Sequence, residues 1–326
     1  MTLAERTETL TALGFTPRQA RFLAIVALHS GYCVRRQYQT FAGIQSGRNV
    51  YEFFNGLVTR GLAVPISGRA DRGCIYHLHA RGLYRAIGEE HNRNRRPVSA
   101  AHITRKLMLL DFVLSQPTAT WYATEREKVA LFAVDFQLPL DVLPRRLFRA
   151  DGAGADTMRF FIHKLPIFVP ADATPRPHFV YLATSDSAPE FAAFLRDHEA
   201  LLHALGTWTV VVVSQRQRPS LDGMFHRFAH APPGARVTAD LEWFFERRRI
   251  VESGDLARVS VGDLQRYREL RRRYDTAAVH ATYAAWLTSG AAALTALAQT
   301  PAWNGELQWA LLSAAYEQFG LLPGVA

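Results

Sequence analysis

The chain has 326 residues, of which 48% are hydrophobic and 21% charged, and a formal net charge of +9. These proportions predict a soluble globular protein long enough for two domains. The longest apolar runs, such as Trp208 to Val213, are strand-sized, well short of the ~18 residues a membrane span needs. Met1 to Leu10 alternates charge around no apolar core, so it is not expected to be a signal peptide, and the expected compartment is the cytoplasm.

The charge is unevenly placed. Between Thr16 and Pro97 stand thirteen arginines, no lysine and four acids (Glu52, Asp71, Glu89 and Glu90), so this segment carries a charge equal to that of the whole chain. A basic patch confined to one small region is the footprint of a polyanion partner.

In chain order, Thr16-Pro17 is a helix start, because threonine caps and proline suits the first helical position. Phe22, Leu23, Val26 and Ala27 then recur at helical spacing as far as Ser30-Gly31. A short second helix is expected from Val34 to Phe41, then a turn at Ala42-Gly43. A third is expected from Ser46 to Thr59, with Val50, Phe53, Phe54, Leu57 and Val58 inside and Gln45, Ser46, Arg48, Asn49 and Glu52 outside. Short helix, glycine turn and a helix with polar N-terminal residues form the helix-turn-helix pattern. The β-type runs Leu62–Ile66 and Cys74–Leu78 flank a glycine-rich turn bearing Arg69 and Arg72, which reads as a hairpin and, in this order, as a wing. A helix from Ala80 to Gly88 closes the segment. Arg48 and Asn49 are the candidate base readers, with Gln45 and Ser46 beside them. Arg35, Arg36, Arg69 and Arg72 are candidate phosphate contacts, and Tyr51 is a further candidate.

Residues 1–90 are therefore expected to form a winged helix-turn-helix. The polar run Glu89 to Pro97 reads as a linker. Together with an amphipathic helix from Ser99 to Leu114, whose Leu107, Leu110, Phe112 and Val113 face inward, it gives a connecting segment at 91–116. From 117 to 235 strands and helices alternate: Trp121–Ala123, a capped helix at Thr124-Glu-Arg-Glu127, strand material from Thr157 to Val169, a strand Phe179–Ala183, a helix Pro189–Leu205 and a strand Thr207–Ser214. This predicts an α/β layer with a mixed sheet. Residues 236–326 are expected to be nearly all helical as far as Gly320. Cys33, placed on a helix, and Cys74, placed on a strand, are too few for a disulfide framework or a zinc site and are expected as buried small apolar residues.

No catalytic motif is present: neither Gly-Xaa-Ser-Xaa-Gly nor a phosphate loop occurs, and the twelve histidines are scattered. A nuclease of restriction-endonuclease type would draw on Asp141, Lys164, Asp186 and Glu190, but no acid stands two residues before a lysine on an expected strand. No metal, cofactor or catalytic residue is therefore expected, and the α/β layer is expected to be at most a degenerate form of that nuclease layout.

The layout resembles the replication-relaxation and mobilisation-associated proteins of plasmids and integrative elements. The resemblance rests on Leu13-Gly-Phe-Thr-Pro-Arg-Gln19, Val34-Arg-Arg-Gln-Tyr38, Leu57-Val-Thr-Arg-Gly-Leu62 and Ile75-Tyr-His-Leu-His-Ala-Arg-Gly-Leu83. It implies a winged-helix DNA binder followed by a nuclease-like α/β domain, and supplies no catalytic residue. The expected function is double-stranded DNA binding by a non-catalytic regulatory or accessory factor of a mobile element. The alternatives are a metal-dependent nuclease and a subunit that docks a larger DNA-processing complex. The expected partners are duplex DNA, a second copy of the chain in a homodimer, or proteins of such a complex.

Overall fold

The computed structural model describes the chain apart from residues 67–73, 149–155, 172–174, 186, 231–232, 256–258, 275–276, 296–303, 315 and 317–326. It is a mixed α/β protein with two compact units, Met1–Asp222 with Gly305–Ala326, and Gly223–Asn304.

The first unit begins with α1 (Leu3–Ala12) and α2 (Pro17–His29). Thr2 with Glu5, and Thr16 with Gln19, close reciprocal capping boxes over their first turns. The α1 helix buries only Arg6 and Leu10, too few for an apolar stripe, so hydrophobic periodicity did not announce it and its capping spacing was the one local signal. Gly31, at φ +76°, ends α2 and turns the chain into β1 (Tyr32–Val34). Cys33 thus lies on a strand, not on the helix expected for it: the aromatic and β-branched run Tyr-Cys-Val pairs with β3 (Ile75–Leu78), placing Cys33 opposite Tyr76. Helix α3 (Arg35–Ala42) follows and ends at left-handed Gly43. Gln37 is fully buried and fixes this helix, its amide oxygen accepting from Val34 N–H and its Nε2 donating to Leu107 O.

Helix α4 (Arg48–Thr59) starts two residues later than expected, with extended Gly47 as its N-cap. Val50, Phe53, Phe54 and Leu57 are buried as its period requires, whereas Val58 is exposed, which corrects its placement on the inner face. Strands β2 (Ala63–Ile66) and β3 pair antiparallel, giving the order β1-β3-β2, and α5 (Arg81–Ala86) follows.

The expected linker is a tightly held turn. Residues Arg93–Arg95 form a 3-10 turn in which Asn94 donates to both Ala27 O and Leu28 O at 2.9 Å and accepts from Lys106 Nζ at 2.6 Å. Four long-range hydrogen bonds on one residue make it a staple; the fourth is at its carbonyl, 3.0 Å from His77 Nε2. Helix α6 (Ala100–Leu114) then buries Leu107, Leu110, Phe112 and Val113.

The main sheet has the order β10-β9-β8-β7-β4, from β4 (Thr120–Tyr122), β7 (Ile167–Val169), β8 (His178–Leu182), β9 (Thr207–Ser214) and β10 (Asn304–Leu311). Strands β8 and β9 are parallel, joined by α8 (Ala188–Leu205), while β4, β7 and β8 run antiparallel, so the sheet is mixed. Every residue of β9 after Thr207 is buried, as expected of a strand covered on both faces. One apolar core runs from α2 and α4 through α6 to Phe168, Val180, Leu182, Val211 and Val213 of this sheet.

Two expectations fail here. The run Thr157–Val169 is not one strand: β6 (Thr157–Phe160) pairs with β5 (Arg145–Phe148) in a separate two-stranded ribbon. Phe161 and Lys164, at φ +51° and +54°, then turn the chain before β7 begins, so His163 and Lys164 sit on a turn. The C-terminal region is not helical throughout, because β10 adds to the edge of the main sheet. Trp309 Nε1 donates to Asp222 Oδ1 at 2.8 Å, and Leu312 N–H donates to Ser214 O.

Helix α9 (Pro219–His230) follows β9. In the second unit, α10 (Pro233–Glu252), α11 (Val261–Arg273), α12 (Ala277–Ser289) and α13 (Ala292–Thr295) contribute to a core of Leu241, Phe244, Phe245, Tyr267, Leu270, Tyr283 and Trp286. The arginine run 247–249 lies against aromatic rings, Arg247 over Trp243, Arg248 over Tyr283 and Arg249 over Trp286. Among the described residues no helix is long and apolar enough to cross a membrane.

Candidate nucleic-acid interface

The amphipathic period of α4 drives its aromatic face into the core, so its first turn must present polar residues outward. Gln45, Ser46, Arg48, Asn49, Tyr51, Glu52 and Asn55 are all exposed. Phe53 and Phe54 anchor the other face against Phe15, Phe22, Tyr38 and Tyr76. Glu52, one turn along, accepts from Arg48 Nε at 2.6 Å. An exposed pair of this kind adds little stability, and the Arg48 side chain stays 89% exposed.

The two arginines at the start of α3 have different fates. Arg35 lies 4.3 Å from the Tyr51 ring centre and donates to the Tyr76 hydroxyl at 2.5 Å. It therefore joins the α4 face through Tyr51. Arg36 is turned towards α6, where Asp111 takes it in a bidentate pair at 3.0 and 2.7 Å. The Tyr316 hydroxyl donates to the same carboxylate at 2.5 Å. Burial alone would lower the Arg36 pKa, but the hydrogen bonds and charge of Asp111 raise it. No sequence signal linked these three residues, which lie 75 and 205 positions apart. Arg69 and Arg72 lie outside the described residues.

Four acids dilute the arginine-rich segment, and of these Glu90 is held by Arg81 and Arg85. Their hydrogen bonds keep its carboxyl well below the usual carboxylate range. Glu89 pairs with buried Arg6, which also bonds Glu127 at 2.6 Å and Ile87 O at 3.2 Å. Both acids are thus engaged away from α4, and Arg18, Arg21, Arg93 and Arg96 remain on the surface.

The nuclease candidates do not assemble into a described site. Asp141 is exposed on a single 3-10 turn, Lys164 lies on the turn before β7, and Glu190 is exposed in the first turn of α8. Asp186 lies outside the described residues. Among the described residues no three His, Cys, Asp or Glu side chains come together as a metal would require. Compared with known proteins, the chain matches no family model, no curated protein and no solved structure.

Proposed function

We propose that the chain is a double-stranded DNA-binding protein whose residues 16–88 are a winged helix-turn-helix, acting as an accessory or regulatory factor without catalysis of its own. The observation that carries this reading is the first turn of α4. Gln45 and Ser46 stand exposed just ahead of this helix and Arg48 and Asn49 on its first turn, while its other face is locked into the core. The helix follows α3 and the Gly43 turn, precedes the β2–β3 hairpin, and lies within the segment that concentrates the net charge. In a helix-turn-helix the second helix enters the major groove with its N-terminal residues foremost.

On this reading Arg48 offers a fork to guanine and Asn49 an amide to adenine. Arg35 and Tyr51, stacked together, offer a cation and a phenol to the phosphates. Arg36 serves a different purpose: it ties α3, and so the angle of α4, to α6 through Asp111. The resemblance to mobilisation-associated proteins supports a role on the DNA of a mobile element.

The test uses the full chain, because one core joins residues 16–88 to α6 and the sheet. Duplexes selected from a random pool should share a site, and affinity for it should fall steeply with salt. Arg48→Ala should weaken binding to that site by about 1–3 kcal/mol and relax the preference at one base pair. A chain with no duplex affinity at low salt would overturn the reading.

A further inference from the structure

The chain uses arginine thirty-five times and lysine three times, at Lys106, Lys128 and Lys164. Two of them lie at one place in the fold, the turn of residues 161–166, and the third acts on it electrostatically. Lys164 stands on that turn, and Lys128 Nζ donates to the carbonyl of the next residue, Leu165, at 2.6 Å. Lys106 is within electrostatic reach of Lys164, held there by its bond to Asn94 Oδ1 at 2.6 Å. Arg93, beside that same Asn94, and Arg159, on β6, also act on Lys164. Arg159 in turn faces Arg146 directly across the β5–β6 ribbon, and both are exposed. Like charges directly opposite in a ribbon are destabilising. The acid that reaches this group from α7 (Glu125–Ala130) is Glu125, 3.8 Å from Arg159.

These cations come from four distant parts of the sequence. They include Arg93 and Lys106 at the Asn94 staple, and Lys164, Arg159 and Arg146 from the α/β part. Phe161 and Lys164 hold left-handed backbone conformations that non-glycine residues rarely adopt, and such strain persists where the surroundings over-determine it. A compact ammonium suits a single phosphate oxygen as a point charge, where a guanidinium fork demands two acceptors. We propose that Arg93, Lys164, Arg159 and Arg146 form a second phosphate-binding surface that takes the sugar–phosphate backbone of the same duplex beyond the site read by α4. This inference rests on the DNA-binding reading above.

The lysine count makes the test specific. The full-length protein is treated with an amine-acylating reagent and digested, and the modification of each lysine is followed by mass spectrometry. This is done alone, with a duplex of about one and a half turns, and with one of about four turns, both centred on the selected site. Lys128, 1% exposed, is the internal unreactive control. The long duplex should slow Lys164 acylation several-fold and the short one should not. In parallel, the triple variant Arg93→Gln/Arg146→Gln/Lys164→Gln should lower the salt dependence of long-duplex binding by roughly two to three units of slope, leaving the short duplex unaffected. The charge-preserving variant Arg93→Lys/Arg146→Lys should keep the full slope. Unchanged Lys164 acylation, or an unchanged slope in the triple variant, while Arg48-dependent binding persists, would overturn this inference alone. So would loss of slope in the charge-preserving variant. Absence of binding to either duplex would overturn the DNA-binding reading and this inference with it.

Discussion

Lys128 shows what burial does to one charged side chain. Its Nζ lies 5.6 Å from the Phe161 ring centre and has the Leu165 carbonyl as its acceptor. Burial outweighs the pull of Glu127 and Glu125 and brings its pKa down to about 7 from an ordinary 10.5. Between those values the unfolded chain binds the proton and the folded chain does not, so stability rises with pH; below about 7 both states are protonated and the slope from this residue disappears. Lys128→Met should remove that gain, which is at most about 1.4 kcal/mol per pH unit. Urea midpoints of variant and wild type at several pH values from neutral upwards would converge with rising pH; parallel curves would count against the assignment. His198 acts on the acid side. Burial lowers it to about 4, so stability is present above its ordinary 6.5 and is lost as pH falls from there towards 4. His198→Leu should flatten that limb, at the constant cost of the Nδ1 contact with Phe194 O.

At the scale of elements, the Asn94 turn ties α2 and β3 to α6. Asn94 replaces the missing partners of two carbonyls in the last turn of α2, which no further helical N–H can reach. Asn94→Ala should therefore cost about 2–3 kcal/mol, from several part-buried hydrogen bonds at about 1 kcal/mol each. Gly31 meets the same turn from the other side: a Cβ there would lie 2.3 Å from Asn94 O, and its φ of +76° is itself unfavourable for other residues. Gly31→Ala should destabilise by more than the usual ~1 kcal/mol of a left-handed glycine replacement. Thermal unfolding of the two variants checks both, and wild-type midpoints would refute the staple. The polar composition of Glu89–Pro97 suggested a linker because it lacks apolar residues, yet a segment held by hydrogen bonds needs none.

At the scale of the molecule, the first unit is completed by residues from beyond the second. Strand β10 covers the β9 edge, and the Gly305 backbone lies so close to the Trp208 indole that a Cβ would fall 2.3 Å from its ring. Gly305→Val should cost about 1–3 kcal/mol by overpacking, seen as a lower denaturant midpoint with β9 and its neighbours melting first in hydrogen exchange. Farther on, Tyr316 reaches Asp111 and hence Arg36 at the foot of α3. Tyr316→Phe should cost about 1 kcal/mol for one buried hydrogen bond; an unchanged midpoint would remove the tie from the account.

The sequence by itself determined what local physics controls. Apolar residues at helical spacing placed α2, α4, α6 and α8, the Thr124–Glu127 capping spacing placed the start of α7, and a continuous β-branched run placed β9 to the residue. The clustering of arginine in residues 16–97, and the polar turn ahead of α4 with its candidates Gln45 to Asn49, were legible for the same reason. Periodicity and caps act over about four residues. Only the tertiary structure decided the rest. Strand β1 has three residues, too few to carry a period, and exists because β3 offers it an edge. Strand β10 exists because β9 does the same from about a hundred residues away. Asp111 ties Arg36 to α6, and Lys128 reaches the turn that bears Lys164, through contacts between residues far apart in the chain. Charge identity is written in the sequence, but which charges meet is set by contacts between distant elements.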